Sequence, residues 1–136
     1  METARIETWR DACVHVATTC AVRAAGDTQA EVTVTLSDDR SSTLQMRAFE
    51  LDGATWLEVS GAIGKLASTS PVGLLQSNTI LAVGGLAVAR SGELVIRQVL
   101  PLAGLRRIDL DETLLTLAEQ QVVAHGALQA DIDAKR

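Results

Sequence analysis

The chain has 136 residues, 47% hydrophobic and 2% aromatic, with a formal net charge of −5. That length supports one domain, residues 1–136, with a core of Leu, Val, Ile and Ala, and the apolar content excludes a disordered tail or linker. The acidic balance without a Lys/Arg cluster argues against nucleic acid and anionic membrane surfaces, where phosphate contacts dominate affinity. No run approaches the ~18 apolar residues of a membrane span, and METARIETWRD has no apolar core of a secretory signal.

Residues 3–25 read as a helix, because Ile6, Trp9, Cys13, Val16 and Cys20 recur at spacings of three and four and Gly26 makes a stop. Cys13 and Cys20 lie seven apart in that pattern, ~10 Å along a helix, which exceeds the ~7 Å reach of a disulfide. Both are expected as reduced thiols, in keeping with a cytoplasmic location. The period then becomes two. Val32, Val34 and Leu36 point one way and Glu31, Thr33 and Thr35 the other, up to a turn at Asp38-Asp39-Arg40. A second strand covers Thr43 to Leu51. Asp52-Gly53 signals a hairpin into a third, Ala54 to Ser60, with Leu57 and Val59 opposite Trp56 and Glu58. Gly61 to Lys65 reads as the turn after it, since a phosphate loop needs four residues between its glycines and a Ser or Thr after the Lys.

Ser70-Pro71 opens a short helix to about Asn78. Gly84-Gly85 is suited to a sharp bend into Leu86–Arg90, which forms a second hairpin with Glu93–Leu100 across Ser91-Gly92. Asp109 caps a last helix to about Asp133, with Glu112 three residues on. Leu110, Leu114, Leu117, Gln121, Ala124 and Leu128 share its apolar face. The expected fold is α+β, in the order α-β-β-β-α-β-β-α, an antiparallel sheet packed with helices.

Chemistry-bearing motifs are sparse. His15 and His125 each stand alone on a helix without a second ligand four residues away. The cysteines lack CxxC spacing, and no GxSxG elbow surrounds the serines. Helix capping and dipole compensation account for Asp109, Asp111 and Glu112. No catalytic residue, metal or cofactor is expected. Two aromatics are candidates for holding a protein partner, Trp9 on the first helix and Trp56 on the third strand. For Trp9 packing into the core is favoured; for Trp56 core and partner anchor stand level.

The run Arg40, Leu44 to Glu50, Asp52-Gly53, Trp56-Leu57, Val59-Ser60 and Ile63-Gly64-Lys65-Leu66 resembles the first half of the YbjN family. Leu74-Leu75, Asn78, Gly85 to Val88, Gly92, Leu94-Val95, Arg97 and Leu100-Pro101-Leu102 resemble its second half. The match covers roughly residues 30 to 125. Ser60 to Gly64 departs from the family's usual Ser-Pro-Ile-Gly-like turn, and the first helix matches only in amphipathicity. That family is similar in fold to the type III secretion chaperones, small acidic cytoplasmic dimers that hold an extended segment of a secreted protein. The resemblance implies a non-enzymatic protein-binding module, chaperone-like or regulatory, cytoplasmic and homodimeric, with a protein or peptide partner. A dedicated type III secretion chaperone for an exported effector is the alternative; a small-molecule sensor is a second.

Overall fold

The computed structural model describes residues 5–65 and 84–134, with side chains of the last helix described as far as Gly126. Helix α1 covers Trp9–Val16 and helix α2 covers Arg107–Ala134. Between them run β1 (Ala21–Gly26), β2 (Gln29–Thr35), β3 (Ser41–Leu51), β4 (Ala54–Lys65), β5 (Gly85–Val88) and β6 (Glu93–Pro101). All pairings are antiparallel, and the order across the sheet is β1-β2-β3-β4-β6-β5. The α+β class stands. The short helix expected at Pro71 to Asn78 lies outside the described residues.

The first helix is shorter than its apolar stripe suggests. Thr8 caps it: its side chain accepts the Asp11 N–H, and the Asp11 carboxylate accepts the Thr8 N–H in return. Residues 5–7 before Thr8 lie outside the helix. Ile6 bridges to Leu105 through a reciprocal backbone pair at 2.8 and 3.1 Å, and its side chain is buried. At the other end Thr18 and Thr19 are β-branched and propagate a helix poorly, so the chain leaves it after Ala17. Residues Ala21–Gly26 then form β1, an edge strand absent from the expected order, turning at Asp27-Thr28 into β2.

The hairpins fall where the turn residues place them. Asp52 and Gly53 have φ of 53° and 77°, the doubly positive geometry that suits a two-residue hairpin. Gly84 has φ of 76°, and a Cβ there would lie 2.7 Å from the Arg97 carbonyl oxygen, so the bend into β5 requires glycine. The reading of Gly61 to Lys65 as a turn is corrected: β4 continues through Lys65, with an irregular register against β6 between Ala62 and Gly64. A bulge of this kind keeps the ladder going where glycine-rich sequence suggests a stop. Helix α2 begins two residues before the expected cap. Asp109 therefore sits in its first turn, where its charge suits the helix dipole, and pairs with Arg106 at 2.8 Å.

Both described helices cover the same face of the sheet. Val32, Val34, Leu44, Met46, Leu57, Val59, Ile63, Leu94 and Ile96 point into it and meet Ala12 and Val16 of α1 and Leu110, Leu114, Leu117 and Ala118 of α2. His15 Nε2 lies 2.8 Å from the Asp111 carboxylate and joins the two helices. The β3–β4 ladder runs only from Leu51↔Ala54 to Gln45↔Ser60; beyond it β3 pairs with β2 alone and β4 with β6. The strands diverge there, and Gln121 of α2 occupies the fork. Its Nε2 donates to the Ala62 carbonyl at 2.8 Å and the Thr43 carbonyl at 3.4 Å, and its Oε1 accepts from Ser42 Oγ.

Candidate protein-binding face

The second face of the sheet has no described helix over it. Alternation fixes what stands there: Gln45, Arg47 and Phe49 on β3, Trp56, Glu58 and Ser60 on β4, and Val95, Arg97, Val99 and Pro101 on β6. The register arranges these in rows. Phe49, Trp56 and Pro101 lie abreast; Arg47, Glu58 and Val99 form the next row; Gln45, Ser60 and Arg97 follow. Successive rows on one face are ~7 Å apart, twice the strand rise.

Trp56 is therefore not part of the buried core. It is half-buried among its row neighbours, and its indole Nε1 is shielded without a hydrogen-bond partner. Phe49 opposite carries the Arg47 guanidinium over its ring at 4.8 Å. Leu51 at the end of β3 is exposed. Trp9 is placed differently. It opens α1 and packs part of its ring against the core on the helical side. The two tryptophans thus lie on opposite sides of the sheet and do not form one site.

In the second row Glu58 receives two arginines. Arg47 Nε donates to its Oε1 at 2.8 Å; Arg97 donates to its Oε2 from Nε at 2.8 Å and Nη2 at 2.6 Å. Burial alone would raise the Glu58 carboxyl, but hydrogen bonds and charge from both arginines outweigh it and hold the group below the usual carboxylate range.

The remaining sequence candidates are accounted for by packing. His125 Nδ1 donates to the Ile63 carbonyl at 2.8 Å, beside the β4 irregularity. Cys13 and Cys20 are free thiols, and burial pushes the Cys13 thiol up, which lowers its thiolate fraction. A groove of about 380 Å³ lies between the β2–β3 turn and α2, lined by Leu36, Asp38, Arg40, Glu119, Val122 and Val123 among others. Its Asp38 and Arg40 are paired with each other. Among the described residues no helix is long and apolar enough to cross a membrane.

Sequence reasoning missed the Glu58 cluster. The alternation of β4 put Glu58 beside Trp56, but its partners are 11 and 39 residues away and meet it only through the pairing register.

No protein-family model and no curated protein matches the chain. Solved structures do. A chain of the HopA1–SchA chaperone–effector complex superposes with a TM-score of 0.52 at 16% identity, over 71% of this chain and 75% of its own. A chain of the heterodimeric ExoU–SpcU complex, from the type III secretion system of Pseudomonas aeruginosa, gives 0.53 at 19% identity, over 84% and 94%. The fold is the one found in type III secretion chaperone–effector complexes.

Proposed function

We propose that the chain is a non-enzymatic, chaperone-like protein-binding module that holds a segment of another polypeptide, on the pattern of a type III secretion chaperone. One observation carries this reading: the sheet face left without helical cover among the described residues presents Trp56, Phe49, Val99 and Pro101 together on a fold shared with chains of two chaperone–effector complexes. A partly exposed aromatic cluster is the kind of surface that anchors a protein partner. Both histidines hold fold-maintaining hydrogen bonds, to Asp111 and to the Ile63 carbonyl, which supports a role without catalysis. The likeness to chaperone–effector complexes favours a dedicated secretion chaperone over the regulatory role that a YbjN resemblance implies. On the same pattern we propose a cytoplasmic homodimer, its second copy packing on the outer face of α2, where Ile108, Leu115 and Val123 are exposed.

The test is co-purification of the tagged protein from its host, followed by limited proteolysis of whatever is captured. One dominant polypeptide, protected over a contiguous segment and lost with Trp56→Ala, is the expected result. Capture that is indifferent to Trp56→Ala, or no capture at all, overturns the reading.

A further inference from the structure

Among the described residues, the arginine pair on this sheet face has a charge left over. Arg23 faces Glu31 across β1–β2, and Lys65 stands opposite Glu93 at the far end of β4–β6. In the middle, however, two guanidiniums share the Glu58 carboxylate as their one acidic partner among the described residues. The arginine side chains remain 45% and 40% exposed, while Glu58 is only 13% exposed. The solvent side of the cluster is thus cationic in a chain whose formal net charge is −5. Residues 66–83 contain no Asp, Glu, Lys or Arg, so that segment supplies no balancing carboxylate.

This excess charge adjoins the apolar row of Phe49, Trp56 and Pro101. The step between rows, ~7 Å, equals the distance between alternate side chains of an extended peptide. We propose that the face selects an extended segment of its partner in which an apolar side chain and an acidic side chain stand two residues apart. The apolar group lies on the Trp56 row, and the carboxylate takes the outward N–H groups of Arg47 and Arg97. Guanidinium–carboxylate contacts supply strength and orientation, and the like-charged alternative is penalised. The inference rests on the protein-binding reading and adds what that partner must carry.

The experiment uses the full chain with Trp9→Phe, which leaves Trp56 as the only tryptophan and therefore the fluorescent reporter. Three synthetic peptides are titrated: Leu and Glu alternating on one face with Thr on the other, and the same peptide with Gln or with Lys for Glu. The Glu peptide is expected to shift Trp56 emission and to bind at least about tenfold more tightly than the Lys peptide, an advantage that added salt erodes. Arg97→Gln is expected to weaken it about three- to tenfold, and Glu58→Gln, which removes the competing carboxylate, to tighten it. These opposite signs distinguish recognition from a general loss of structure. Equal binding of the three peptides overturns the acidic preference; if Trp56→Ala, titrated by isothermal calorimetry because it removes the reporter, also abolishes that binding, the protein-binding reading survives it. No response to any peptide overturns the inference too, and proteolytic protection of a captured polypeptide then judges the wider reading on its own.

Discussion

Gly61 shows how one residue position couples the sheet to the helix above it. A Cβ there would stand 2.8 Å from Leu44 Cδ2 and 2.9 Å from Gln121 Cδ, at the fork where β3 and β4 part. Gly61→Ala is expected to destabilise by about 1–3 kcal/mol, the usual cost of overpacking, read as a lower urea midpoint with unchanged slope. Gln121→Leu is expected to cost a similar amount, about 1–3 kcal/mol, by stranding Ser42 Oγ and the Ala62 and Thr43 carbonyls. Sequence alone shows Gln121 as one member of a helical stripe and Gly61 as part of a turn. Neither role is visible there, because both arise from a meeting of segments 60 residues apart. Asp52-Gly53 is the contrast: its geometry is local, so the dipeptide discloses it. Glu58 adds a pH dependence. Its folded-state carboxyl lies below the unfolded value of about 4.3, so its contribution is complete above that pH and is lost as pH falls through the lower folded value. Urea midpoints at neutral and acid pH should therefore fall less steeply in Glu58→Gln than in the parent.

At the scale of elements, the two hairpins and α2 are legible because their signals are short-range or strongly periodic. The α1–β1 segment is not. Cys20 extends the apolar stripe of Trp9, Cys13 and Val16, so a helical period fits beyond the true end at Val16. What wins is tertiary context: Ala21, Val22, Arg23 and Ala24 pair with β2, and Ile6 is drawn into a bridge with Leu105. β1 nevertheless remains a poor strand by composition, short and mostly exposed, with Arg23 standing on the bare face. An edge of that kind has few apolar contacts to hold it. Amide hydrogen exchange is expected to rank β3, β4 and β6 as the slowest strands and β1 and β5 as the fastest. Protection of β1 equal to that of β4 would mean that the edge is covered in solution by something other than β2.

For the whole molecule, the decisive fact is that all the described helical cover lies on one side. Period-two patterning divides β4 into Trp56, Glu58 and Ser60 against Leu57, Val59 and Ile63, but both sets contain large apolar groups, so the pattern does not tell which set is packed. Helix packing decides it, and it separates a partly exposed apolar row from an exposed apolar stripe by the full thickness of the fold. Trp56 and its row lie on the bare sheet face; Ile108, Leu115 and Val123 lie on the side of α2 turned away from the core, with Glu112 and Glu119 beside them. If the first surface holds the partner and the second a second copy, the two functions separate by mutation. Leu115→Glu places a charge in an apolar contact and is expected to halve the mass seen by sedimentation equilibrium, from a dimer to the 14.4 kDa chain, while leaving capture of the partner in place. Trp56→Ala is expected to do the reverse. It removes capture and keeps the dimer mass, and its thermal midpoint should move little, because the indole it deletes carries a shielded N–H without a partner that offsets part of its burial. A Trp56→Ala protein that sediments as a monomer would instead assign the bare sheet face to the second copy, and the partner would then have to bind on the helical side.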